Sequence, residues 1–189
     1  MSAADDLCTT DTERAALQRL RELVGADGSP MESHCVRVFE LTLELARRGH
    51  RQVDRELLLV AAFLHDAGLY LSERHGPYVT DGRRLAAEIG EQHGWSPTRI
   101  ARCADVIEHH HEVLPQWARG DEVELLRRAD MVDVVPPSRL AFGPDRAFVR
   151  ELLARVPRKG FHRHIAGMVG NELRRRPASV PTIFRPPRS

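Results

Sequence analysis

Leu57-Leu58-Leu59-Val60-Ala61-Ala62-Phe63-Leu64 runs straight into His65-Asp66. Eight consecutive apolar residues are too many for the one-sided stripe of a surface helix, so this helix is expected to be buried nearly all round. A histidine and a carboxylate at its end then need partners, because a bare buried charge costs several kcal/mol. An arginine would serve. So would a cation that takes both side chains.

Outward from this helix, read as Val53 to His65 with its break at Gly68, the apolar periodicity is helical nearly throughout. Thr12 to Val24 is amphipathic and stops at Gly25. Met31 to Arg48 starts behind Ser29-Pro30 and ends at Gly49. Thr80 to His93 ends at Gly94, and Ser96 to His111 opens with an N-cap serine and a proline at the first position. Glu122 to Val134 stops at Pro136-Pro137, and Asp145 to Val156 and Phe161 to Arg175 follow. No run alternates as a strand would, and no internal repeat is present. The expected fold is all-α, with one domain over 12–175, a flexible N-terminus at 1–11 and an extended Pro/Arg-rich tail at 176–189.

A length of 189 residues suits one domain that can bury a real core. Apolar residues at 42% and charged residues at 29% are a globular balance, not that of a disordered or membrane chain. No apolar stretch approaches the roughly 20 residues of a membrane helix. Met1 to Asp11 lacks the basic start and apolar middle of a signal peptide, so the expected location is the cytoplasm. A net charge of +1 supplies no field for a nucleic-acid polymer. Cys8, Cys35 and Cys103 are dispersed without a CxxC pair, which suits a reducing compartment and is neither a disulfide nor a metal framework.

Two further polar residues fall on core stripes. His34 lies in line with Met31, Val38, Leu41 and Leu45, and Asp130 with Val123, Leu126 and Val134. Two inward carboxylates, Asp66 and Asp130, repel each other unless positive charge sits between them. Each residue alone has a plainer explanation: a satisfied core histidine, or an aspartate paired with Arg127 or a helix N-terminus. Together, two imidazoles and two carboxylates from three helices are a usual donor set for Mn, Fe, Co, Ni or Zn.

These residues resemble the HD-domain superfamily: a histidine, then a His-Asp doublet ending an apolar helix, then a later aspartate. Here they are His34, the doublet in Phe63-Leu64-His65-Asp66-Ala67-Gly68, and Asp130 in Leu125-Leu126-Arg127-Arg128-Ala129-Asp130. The resemblance spans about 31–135. It implies an HD-domain helical bundle and a metal-dependent phosphohydrolase acting on a phosphate mono- or diester, nucleotides included, through a metal-activated water. His34, His65, Asp66 and Asp130 become ligands of one divalent ion (Mn, Fe, Co, Ni, Zn or Mg), with Asp66 also catalytic. The implied partner is a small phosphorylated molecule, with no membrane or nucleic-acid polymer; a homodimer is compatible with a small bundle.

Val106-Ile107-Glu108-His109-His110-His111-Glu112 resembles the stretch that supplies second-ion ligands in two-metal HD proteins. His110 and His111 continue the apolar stripe of Ile100, Cys103, Ala104 and Ile107, so they are expected at the site, as second-ion ligands or as stabilisers of a leaving group. His109 is expected to be exposed. Two-metal relatives carry a histidine four residues ahead of a glycine. Tyr78 stands there, ahead of Gly82, and His75 precedes it, so one ion is favoured over two. Gly68-Leu69-Tyr70 occupies the place where many HD enzymes have a lysine or an acid, which leaves Glu73, Arg74 and His75 as the nearest candidates. Arg74 and His75 are candidates for binding a substrate phosphate, against a plain surface role. His162 and His164 are expected on a basic surface helix. Two other readings fit the same donors: a di-iron oxygenase cleaving a C–C or C–P bond, and a non-catalytic, metal-stabilised small-molecule-binding protein.

Overall fold

The computed structural model describes residues 2–26, 29–71, 78–135 and 144–167. Their helices are α1 (Ala3–Leu7), α2 (Asp11–Val24), α3 (Ser29–Arg48), α4 (Arg55–Leu64), α5 (Tyr78–Gln92), α6 (Pro97–His109), α7 (Asp121–Val134) and α8 (Arg146–Arg155). Short 3-10 turns occupy Ala67–Tyr70 and Trp117–Arg119, and residues 161–167 are helical. No strand occurs among the described residues. The fold is an all-α bundle. No described helix is long and apolar enough to cross a membrane.

α4 is the axis. Leu57 to Leu64 are all fully buried, and α2, α3, α5, α6 and α7 pack around it. Burial of each large aliphatic or aromatic side chain here stabilises the fold by about 1.5–3 kcal/mol. Asp54 caps the helix by accepting from the Leu57 amide at 3.1 Å, and Arg99 of α6 donates to both oxygens of the same carboxylate. α3 lies against α7 and α5 against α6, which aims the inner faces of these helices at the C-terminal end of α4. α8 and the segment after it close one side, with Leu152, Val156 and Phe161 in the core.

The expected helices are present with ends shifted by one or two residues, except that 168–175 and the tail lie outside the described residues. The N-terminal segment expected to be flexible carries α1, capped reciprocally by Ser2 and Asp5. Arg21 of α2 ties it down, donating to Asp5 at 2.7 Å and to Ser2 at 2.9 Å. Val134, expected on the core stripe of α7, is instead 39% exposed.

Glu124 on α7 is fully buried. It accepts from Arg127 at 2.8 and 2.9 Å, from Arg128 at 2.6 Å and from the Gln116 amide at 2.6 Å. Burial pushes its pKa up, but these donors outweigh burial and bring it from 4.5 to about 2. A depressed folded-state pKa contributes stability above the unfolded value that is lost as pH falls through the folded one. Glu124→Gln is therefore expected to cost about 3 kcal/mol at neutral pH. The gap to the parent protein should narrow as pH falls from about 4.5 toward 2. Denaturant unfolding at a series of pH values checks this; a gap that stays constant with pH would show that the charge contributes nothing.

Candidate metal centre

Three helix segments bring the expected donors together. His34 comes from the second turn of α3, His65 and Asp66 from the turn that ends α4, and Asp130 from the third turn of α7. Nε2 of His34 lies 3.2 Å from Nε2 of His65 and 3.3 Å from Oδ1 of Asp130. Oδ2 of Asp66 lies 3.5 Å from Nε2 of His65 and 3.9 Å from that of His34. His34, His65 and Asp66 each place one donor atom within 4.8 Å of the others. Asp130 adds a fourth donor, 3.9 Å from Nε2 of His65. Both imidazoles are fully buried, while the two carboxylates are 13% and 14% exposed, so the site opens on the carboxylate side.

Hydrogen bonds fix how each imidazole presents itself. Nδ1 of His65 donates to the Ala62 carbonyl at 2.8 Å, and a carbonyl can only accept, so Nε2 turns its lone pair inward. Nδ1 of His110 likewise donates to the Ile107 carbonyl at 2.7 Å, leaving its Nε2 at 3.4 Å from Oδ1 of Asp66. Nδ1 of His34 faces Oδ2 of Asp133 at 2.8 Å. Three Nε2 atoms thus converge on two carboxylates.

The electrostatics suit a cation. Burial alone would lower the His34 imidazolium, but Asp130 and Asp133 outweigh it and raise its pKa to about 9. Burial lowers that of His65 to about 4, so it stays neutral. Burial would raise the Asp66 carboxyl, but His65 and His110 hold it well below the usual carboxylate range. Charged His34 donates through Nε2 to the lone pair of neutral His65 across 3.2 Å, and a metal ion would take the place of that proton. Two nitrogens bound at about 2.1 Å to one ion sit about 3.0–3.4 Å apart, so the donors present fit a divalent metal.

His110 joins this cluster, 2% exposed. His111 sits one ring further out: its Nδ1 is 3.5 Å from the Tyr78 hydroxyl, its ring 5.0 Å from that of His110, and burial lowers its pKa to about 4. The Tyr78 hydroxyl also lies 3.2 Å from Nε2 of His110. Burial and the charge of Asp66 push the Tyr78 phenol well above its ordinary value, so it remains protonated. Glu73, Arg74 and His75 lie outside the described residues.

Five residues stand otherwise than the sequence expectations had them or were absent from those expectations. His109 is buried, not exposed, because α4, α5 and α7 all pack on α6; its Nε2 is 3.3 Å from Asp105. His162 does lie on the surface, but His164 reaches inward, with Nε2 2.6 Å from the Tyr70 hydroxyl. Asp133, Arg37 and Phe161, which surround His34, were not among the candidates. The first two had a readable signal: Asp133 lies three residues after Asp130 and Arg37 three after His34, each on the inward face.

Comparison with curated proteins gives no match. The sequence profile of the HD domain matches residues 31–134, which include the doublet and all four expected ligands. HD domains are commonly metal-dependent hydrolases, and this helical bundle, with its His/Asp cluster able to hold a metal, belongs to the HD-domain family.

Proposed function

We propose that the protein is a metal-dependent phosphohydrolase that acts on a small phosphate mono- or diester, nucleotides being the first class to test. One observation carries this reading: three imidazoles, each with Nδ1 held by an acceptor, turn Nε2 toward two carboxylates that line an opening. His34, His65, Asp66 and Asp130 would hold one divalent ion. When bound, it supplies polarisation of a phosphoryl oxygen and a lowered pKa for water.

The protein's own groups do the rest. Asp66 accepts a hydrogen bond from, and so orients, an attacking water at the carboxylate side. Burial would lower the pKa of His110, but Asp66 outweighs it and raises it, which favours the imidazolium that can give a proton to the departing oxygen. Tyr78 stays a phenol and donates beside it. Full burial of His34 and His65 keeps water from entering behind the ligands.

The test is hydrolysis of nucleoside mono-, di- and triphosphates, cyclic nucleotides and generic phosphate esters with Mn, Co, Ni or Mg. Turnover of at least one class is expected, lost on chelation and restored by the metal. Turnover that survives chelation would overturn the proposal, as would a fully metal-loaded protein that hydrolyses none of these esters.

A further inference from the structure

We infer that Asp133 is a positioning residue of this centre: it holds the His34 ring in the one tautomer and orientation that presents Nε2 to a metal ion. The inference rests on the reading of His34 as a ligand. A neutral imidazole carries one proton on either nitrogen, and only the Nδ1–H form leaves Nε2 free to bind. A carboxylate oxygen 2.8 Å from Nδ1 selects that form. A neighbour that donated a proton would select the other.

Asp133 is itself held in place. It is only 2% exposed, and fully buried Arg37 donates to it through Nε (to Oδ1) and a terminal nitrogen (to Oδ2), both at 2.8 Å. Planar guanidinium on planar carboxylate leaves Asp133 no freedom to turn away from His34. Arg37 is anchored in turn, donating to the carbonyls of Pro157 at 3.2 Å and Val156 at 3.4 Å. Arg158 donates to the backbone carbonyl of Asp133 at 3.2 Å and brings a second guanidinium to 3.5 Å from Oδ1. Buried Phe161 stacks on the His34 ring at 4.1 Å and 12°, so the ring cannot tilt. Val156 to Phe161 lie beyond the region that matches the HD-domain profile. The segment after α8 thus completes the clamp on a ligand carried by α3.

A buried Arg37–Asp133 pair could also serve only to fasten that segment. The two roles differ in what Asp133→Asn does. Asparagine offers one acceptor oxygen, and Arg37 competes for it. The amide group left facing His34 donates, and so selects the tautomer with its proton on Nε2. Such partners of ligating histidines typically contribute about 10–100-fold to metal affinity.

The experiment is cobalt(II) binding to full-length protein by chelator competition, with thermal unfolding of the metal-free proteins in parallel. The expected result is a 10–100-fold weaker cobalt dissociation constant for Asp133→Asn at temperatures where it is fully folded. Unchanged cobalt affinity alongside a lowered melting temperature would overturn the inference and leave the pair purely structural. Nitrogen-15 histidine NMR of the zinc-loaded parent protein reads the tautomer directly and does not depend on a variant folding. A proton on Nδ1 of His34 is expected; one on Nε2 would overturn the inference. A parent protein that binds neither ion would overturn the metal reading itself, and this inference with it.

Discussion

Asp66→Ala is expected to abolish stable metal binding and to lower phosphate-ester turnover by at least about 10³-fold, the loss of several kcal/mol of transition-state stabilisation. Asp66 faces all three inward imidazoles, at 3.5 Å from His65, 3.9 Å from His34 and 3.4 Å from His110. In the proposed reading it is at once a ligand and the group that steers water, and its charge raises the pKa of His110. Its removal therefore strikes binding and proton transfer together. Asp66→Asn keeps the volume and one oxygen but not the charge, and its effect should lie nearer to alanine than to the parent. Asp66 caps no helix through its side chain, so both variants should keep their helical content. Elemental analysis, turnover and circular dichroism check the set. An alanine variant that retains about one ion per chain and its turnover would refute the role given to Asp66.

The parts of this site that the sequence made legible are those that depend on one helix at a time. Leu57 to Leu64 announced a buried α4, and burial at its end made His65-Asp66 conspicuous. His34 and Asp130 stood out because each interrupts an apolar stripe whose period a single helix fixes. Where several helices converge, the same rule failed. His109 was read outward from the stripe of α6, yet that helix is packed on more than one face. Asp133 lies near the end of α7, three residues after Asp130. Its meaning comes from Arg37 and His34 on α3, nearly a hundred residues away. Phe161 had no local signal at all, since its stacking on His34 exists only once the segment after α8 has docked. At the N-terminus Ser2 and Asp5 cap α1 locally, whereas Arg21, which pins it, comes from α2.

The second large effect is expected at two glycines that let α5 approach the doublet. A Cβ on Gly68 would stand 2.0 Å from the Tyr78 carbonyl oxygen and 2.9 Å from its carbon, and one on Gly82 would stand 2.7 Å from the Leu64 carbonyl oxygen. These obstacles are backbone atoms, which cannot rotate aside as a side chain does. The start of α5 would have to retreat from the end of α4, drawing Tyr78 away from His110 and loosening the turn that carries His65 and Asp66. Gly68→Ala and Gly82→Ala are each expected to destabilise the metal-free protein by about 3 kcal/mol or more. For a chain of this size that lowers the melting temperature by about 6–12 °C. Gly90→Ala is the comparison. There a Cβ would meet Ile100 Cγ1 at 3.0 Å and the Trp95 ring at 3.1 Å, side-chain atoms with room to give, and the cost should be about 1 kcal/mol. Thermal unfolding orders the three. If Gly68→Ala melted within about 2 °C of the parent, the close seating of α5 on the doublet turn would be wrong, and with it the placement of Tyr78 beside His110.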